Sequence, residues 1–235
     1  MDIRIFQINR ERDEAHVKFA GLRVLQSHTG HVDIDPGIYD EVFRGLIAED
    51  GLEEAWLRFN TAGHGLHRGH SLSVSDVVII SGAEVFKDGA YFCDAGGWEK
   101  IDFDPALTQK EDGLLRIVML EPGLPAYESY IKDDWHAMQD AVGGLFEITY
   151  PFDDSVIAVG NEEAKLIGMA GNRHIGGQLY AGPVYIVGTK AGPEGGECTS
   201  LTEEQAARYL DQFAEPEHYT KEEVEDSIHF EIITF

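Results

Sequence analysis

The stretch Ser73-Val-Ser-Asp-Val-Val-Ile-Ile-Ser-Gly-Ala-Glu-Val-Phe-Lys-Asp-Gly-Ala-Tyr-Phe-Cys93 decides the fold class. Val74, Val77, Val78, Ile79 and Ile80 form a β-branched run, which is the composition of a buried strand over Ser73–Ser81. Ala90–Cys93 reads as its hairpin partner across the Lys87-Asp-Gly89 turn. Toward the N-terminus, Ile3–Ile8 alternates as a strand, Asp13–Ala20 suits a short helix ending near Gly21, and Tyr39–Ile47 resembles a further strand. Leu52, Ala55, Trp56 and Phe59 recur at i, i+3, i+4 and i+7, an amphipathic helix with Glu53, Glu54 and Arg58 on the wet side.

Toward the C-terminus, Leu114–Leu120 is an apolar run stopped by Glu121-Pro-Gly123, and Tyr127–Ile131 can pair back on it. Trp135, Met138 and Val142 mark one helix face that stops at Gly143-Gly144. Phe146, Ile148 and Tyr150 alternate with polar residues as a half-buried strand, and Ser155–Gly160 and Tyr180–Gly188 read as two more. Ser200-Leu-Thr-Glu203 and Thr202-Glu-Glu-Gln205 both fit a capping box ahead of the stripe Ala206, Tyr209, Leu210 and Phe213. No regular βαβ period is present. The expected class is therefore α+β: two small mixed domains, each a mostly antiparallel sheet with one or two packed helices.

Composition bounds the function. Of 235 residues, 43% are hydrophobic and 26% charged, which is globular rather than disordered. The 43 Asp+Glu residues outnumber 18 Lys+Arg, giving a net charge of −25. Such a chain is not expected to bind nucleic acid by counterion release, nor an anionic membrane. No apolar run approaches the ~18 residues of a membrane span. The opening MDIRIFQINRERDE lacks a signal-peptide pattern, so a soluble cytoplasmic protein is expected. Two cysteines, Cys93 and Cys198, make neither a disulfide framework nor a zinc site.

Charge also divides the chain. Residues 1–110 hold 19 acidic and 11 basic residues, and residues 111–235 hold 24 and 7, so the halves carry −8 and −17. The change falls at residues 102–113, whose Pro, Asp and Gly content suits a linker. Domains are expected at 1–101 and 114–213, with an acidic tail over 214–235.

Four groups of residues could carry chemistry. His64, His67 and His70 have imidazoles at i, i+3 and i+6, but no accompanying carboxylate pattern. Solvated loop histidines are the expectation, with no metal and no cofactor. In Ser71-Leu-Ser-Val-Ser-Asp76, period two puts Ser71, Ser73 and Ser75 on one face and Leu72, Val74 and Asp76 on the other. Ser73 and Asp76 can form a polar ligand site, or the aspartate can close a local turn ahead of the strand. Gly168-Met-Ala-Gly-Asn-Arg-His-Ile-Gly-Gly177 is neither GxGxxG nor a P-loop. It reads as a structural crossover loop on which Asn172 and Arg173 could hold an anion or a partner. Neither cysteine has an adjacent cation, and no GxSxG elbow occurs, so no catalytic residue is expected. The fourth group is acidic: Glu203, Glu204, Asp211, Glu215, Glu217, Glu222, Glu223, Glu225 and Asp226. Carboxylates spread over a surface can imitate the phosphates of DNA, which carries about one charge per 1.7 Å of axis.

Residues 3–100 resemble the YodL-like domain. The resemblance rests on the Ile3–Ile8 strand, Tyr39-Asp-Glu-Val-Phe43, the Leu52–Asn60 helix, Gly69-His-Ser-Leu-Ser-Val-Ser-Asp-Val-Val78 and Ala90-Tyr-Phe-Cys-Asp94. Residues 114–213 are similar to domain-of-unknown-function family 3846, through Val118-Met-Leu-Glu-Pro-Gly123, Gly160-Asn-Glu-Glu163, Gly171-Asn-Arg173, Tyr180-Ala-Gly-Pro-Val-Tyr-Ile-Val-Gly188 and Ser200-Leu-Thr-Glu-Glu204. Neither resemblance implies a catalytic residue. Both imply a context, bacterial mobile genetic elements near antirestriction genes. With the acidity, that context leads to the expectation of a non-enzymatic DNA mimic whose partner is a basic nucleic-acid-binding host protein. The alternative is a module that binds or sequesters a small nucleotide-like ligand through Ser73, Asp76, Asn172 and Arg173.

Overall fold

The computed structural model describes residues 1–30, 33–192 and 195–228. The fold is α+β and mostly antiparallel, and the chain divides into two compact units, Met1–Gly113 and Leu114–Phe235.

In the first unit β1 (Asp2–Ile8), β2 (Tyr39–Leu46), β3 (Val77–Ser81), β4 (Gly89–Asp94) and β5 (Gly97–Ile101) form one sheet, ordered β2-β1-β3-β4-β5 with every pairing antiparallel. Alternation along β1 sends Phe6 and Ile8 to one face, where Val17, Tyr39, Val77, Phe92 and Leu25 of α1 (Leu22–Thr29) join them. Ile3 and Ile5 occupy the opposite face. Phe43, paired with Ile5, meets Phe59 of α2 (Leu52–Thr61) there, ring to ring at 5.0 Å. Burial on both faces is why the β3 run reads as continuously apolar rather than alternating.

Several local expectations change. Asp13–Ala20 is a set of turns, not a helix. The Asp13 carboxylate accepts from the Val17 and Lys18 amides at 2.9 Å each, and His16 (φ 53°) and Phe19 (φ 67°) are left-handed, which a helix does not tolerate. The strand expected from Ser73 begins only at Val77, because Ser75 is also left-handed (φ 79°). Residues 102–113 are integrated into the first unit: Phe103 packs on Phe6 at 5.2 Å and on Tyr39 at 5.4 Å, and Gln109 bridges to Asp40.

In the second unit β6 (Leu114–Leu120), β7 (Tyr127–Lys132), β8 (Phe146–Thr149), β9 (Val156–Asn161) and β12 (Val184–Gly192) form a sheet ordered β7-β6-β12-β9-β8. β13 (Gly195–Thr199) pairs with the end of β12, and β10 (Gly171–Ile175) with β11 (Gln178–Ala181) makes a separate ribbon. The helix α3 (Trp135–Val142) packs on β7, β9 and β12. Ala206, Tyr209 and the flanking Phe213 of α4 (Glu203–Gln212) cluster with Val118, Leu120, Ala158 and Ile186. Thr202 and Gln205 form the capping box of α4. The supposed crossover loop at 168–177 contains a strand, β10. The single strand expected at Tyr180–Gly188 is divided by Gly182 (φ 68°), whose amide bonds to Ala170 O. The expected tail holds α5 (Lys221–Asp226), whose Val224 is buried against Ala164, Leu179 and Ala181.

Candidate functional site

In the first unit the turn ahead of β3 gathers the polar residues. Asp76 is fully buried. Its Oδ2 accepts from the Ser73 amide at 2.7 Å and from Gln7 Nε2 at 2.9 Å. Its Oδ1 has no hydrogen-bond partner among the described residues, and His70 Nε2, also without one, lies 3.9 Å away. Burial raises the Asp76 carboxyl, the bonds from Ser73 and Gln7 only partly offset this, and it is pushed up to about 7. The turn-closing reading of Asp76 therefore describes its bonds, and the charge is an added feature that spacing could not reveal.

The same turn is strained. Ser75 Oγ accepts from the Phe19 amide at 2.9 Å, and Tyr39 Oη donates to Ser75 O at 2.9 Å, so two left-handed residues are held together. Ser71, Ser73 and Ser75 do not share a strand face, because the chain turns between them. His64 and His67 share the Phe43–Phe59 pair, and His70 departs from them. The His64 ring lies 4.6 Å from that of Phe43, and His67 meets Phe59 edge-on at 5.1 Å. Burial, then the neighbouring His64 and His70, lowers His67 to about 4. His70 turns toward Gln7 and Phe19 instead. Far from being solvated, His67 is an aromatic core contact. Among the described residues, no three His, Cys, Asp or Glu side chains are grouped to hold a metal.

In the second unit Asn172 and Arg173 lie in the core, not on a loop surface. Arg173 is 1% exposed. Its Nη1 donates to Phe213 O at 2.7 Å, Nη2 to Leu124 O at 2.7 Å and Glu121 O at 3.3 Å, and Nε to Asn172 Oδ1 at 2.9 Å. Asn172 Nδ2 in turn donates to Leu120 O and Gly182 O. These groups tie the end of α4 and the 121–124 turn to β10, so their donors are not offered to a ligand. Gly171 admits the close approach: a Cβ there would meet Tyr219 Cβ at 2.7 Å and Val224 Cγ2 at 2.8 Å.

These placements give the motifs a physical content that the family comparison can be set beside. Residues 2–103 match the family model of the YodL-like domain, and residues 115–214 match that of a domain of unknown function, DUF3846. The chain is a YodL-like domain followed by a DUF3846 domain. No curated protein and no solved structure matches it. Within the YodL-like domain the Gly69–Val78 motif is the strained turn with Asp76. Within the DUF3846 domain Gly171-Asn-Arg173 is the buried tie.

The acidic residues of the DUF3846 domain and the segment after it are mostly on the surface. Glu203, Glu204, Asp211, Glu215, Glu222, Glu223, Glu225 and Asp226 are exposed, while Ala206, Tyr209, Phe213 and Val224 of the same segments are buried. Glu217 departs from the set. Burial raises its carboxyl, but hydrogen bonds from Tyr219 and His174 outweigh this and leave it below the usual carboxylate range. No helix of the described residues is long and apolar enough to cross a membrane.

Proposed function

We propose that the chain is a non-enzymatic, cytoplasmic binding protein of a mobile genetic element, acting by DNA mimicry on a basic nucleic-acid-binding host protein. One observation carries the reading. The helices α4 and α5 turn their apolar residues inward and leave eight carboxylates from the 203–226 segment in water. Two cations act within this segment: Arg208, which pairs with Asp154 at 2.9 Å and stands 4.0 Å from Glu204, and Lys221, 3.5 Å from Glu225. The segment thus keeps a strong negative field, which steers a basic partner and weakens with salt. The nucleotide-sequestering alternative has less support, because Asn172, Arg173 and Asp76 are all enclosed and offer nothing to a ligand at the surface.

The test is the quadruple variant Glu203→Lys, Glu204→Lys, Glu222→Lys and Glu223→Lys. Its Tm should fall only modestly, since exposed charges contribute about 0–1 kcal/mol each. The loss of Glu223, which accepts from the Thr220 amide at 2.7 Å in the capping box of α5, adds the cost of a weakened helix cap. Pull-down from host lysate at rising salt should recover a basic DNA-binding protein with the parent and lose it with the variant. A variant that competes with DNA for that protein as well as the parent does would show that the acidity serves solubility alone.

A further inference from the structure

The YodL-like domain has an open groove of about 600 Å³ that plays no part in the mimic reading. It lies between α2, the Leu72–Val74 turn and the β4–β5 hairpin, with Phe19 at its edge. A volume of this size is within the roughly 300–1,000 Å³ range of small-ligand sites.

Three features of the lining point the same way. First, Trp56 sits on the α2 stripe that should be wholly buried. Leu52, Ala55 and Phe59 are buried, yet Trp56 is 41% exposed and borders the groove. Trp98 of β5 and the half-exposed Phe19 border it as well, so aromatic side chains from three segments line the groove. Second, the charged residues of the lining are Glu53 and Asp94, both carboxylates. Asp94 is held in place, its Oδ1 accepting from the Ala95 amide at 2.8 Å and the Leu22 amide at 3.3 Å. Third, the field of these acids is felt inside the groove: burial, then Asp76, Glu53 and Asp94, pushes the lining Cys93 thiol up to about 11.

We propose that this groove binds a small organic cation, an ammonium group carried on an apolar body. The ammonium stands over the indole faces, where the ring quadrupole attracts positive charge, and within reach of the Glu53 and Asp94 field. The apolar body lies along Leu72 and Val74. Anionic ligands are repelled by the same carboxylates. A bare metal ion finds too few oxygen donors among the aromatic walls.

The experiment uses the full chain carrying Trp135→Phe, which leaves Trp56 and Trp98 as the two indoles, excited selectively over tyrosine. Phenethylammonium chloride should change the emission saturably, while phenylacetate and phenethyl alcohol should not match it. Glu53→Gln should weaken binding about five-fold, and Trp56→Leu about ten-fold, read from the remaining indole. Glu53 is exposed, so Glu53→Gln should leave the Tm nearly unchanged, and Trp56→Leu, at a half-exposed position, should lower it only modestly. Equal binding of phenylacetate would overturn the proposal by showing an apolar groove without charge preference. An unsaturated response to phenethylammonium up to millimolar concentration would also overturn it. Binding of an octalysine peptide without binding of phenethylammonium would overturn it in favour of a protein partner.

Discussion

Among the described residues the YodL-like domain buries Asp13 and Asp76 and the DUF3846 domain buries Arg173, and Asp76 and Arg173 are treated oppositely. Arg173 in the DUF3846 domain has its guanidinium bonded to three backbone carbonyls and the Asn172 side chain. Asp76 in the YodL-like domain has both of its bonds on Oδ2 and none on Oδ1. A buried charge with its bonds complete acts as a fixed tie. A buried carboxylate with one oxygen unpaired is instead driven toward its neutral form, and its protonation becomes linked to folding. The difference teaches that burial alone does not predict what a charge does; the remaining lone pairs and donors decide.

Breaking the tie should have the largest effect. Arg173→Leu leaves Leu124 O and Asn172 Oδ1 without their donor and Phe213 O with the Ala126 amide alone, and should cost on the order of 5 kcal/mol in chemical denaturation. A cost below about 1 kcal/mol would mean that the bonds are readily replaced by water and that the contrast with Asp76 is false.

The next effect tests the other half of the contrast. The folded Asp76 carboxyl lies near 7, against 3.8 as its ordinary value. Between those values the folded state holds the proton and the unfolded state does not, so this contribution to stability is full below about 4 and is lost as pH rises through 7. Asp76→Asn keeps an oxygen for Ser73 and Gln7 and removes the charge. It should therefore be more stable than the parent above pH 7, by on the order of 3 kcal/mol, and lack this part of the pH dependence. Parallel Tm profiles for the two proteins from pH 4 to pH 8 would remove Asp76 from the argument.

The smallest effect calibrates the tie. Arg173 holds the C-terminal end of α4, and the Thr202–Gln205 capping box holds its other end. Thr202→Ala should cost about 1 kcal/mol, a fraction of the Arg173 effect. A cost equal to that of Arg173→Leu would place the anchor of α4 at its N-terminus.

Much of the fold was legible. Alternation placed β1 and β8, Tyr39–Ile47 read as the strand that is β2, the 3.6-residue stripes placed α2, α3 and α4, and the capping box at Thr202 is present in the structure. What was missed lies at left-handed residues and close approaches. His16, Phe19 and Ser75 adopt positive φ without being glycine, so nothing in their type announced the turns that replace the helix at 13–20 and shorten β3. The strand β10 was hidden because the glycine-rich stretch at 168–177 has the composition of a loop. β5 was hidden because Gly97-Trp-Glu-Lys-Ile101 has only two large apolar residues to signal it. For the candidate sites, the acid-bearing segment was readable because exposed carboxylates need only a buried stripe beside them. The groove was not, because Trp56 matched the buried stripe and only packing shows that it is left half in water.

The sequence by itself determined the α+β class, the division of charge between the two halves and the amphipathic helices. These follow from periodicity and composition, which act along the chain. The tertiary structure alone decided that Arg173 is a tie, that Asp76 carries an unpaired oxygen, and that Trp56, Trp98, Glu53 and Asp94 share one groove. Those facts depend on which backbone carbonyls, donors and ring faces arrive from distant segments, and spacing along the chain carries no record of that encounter.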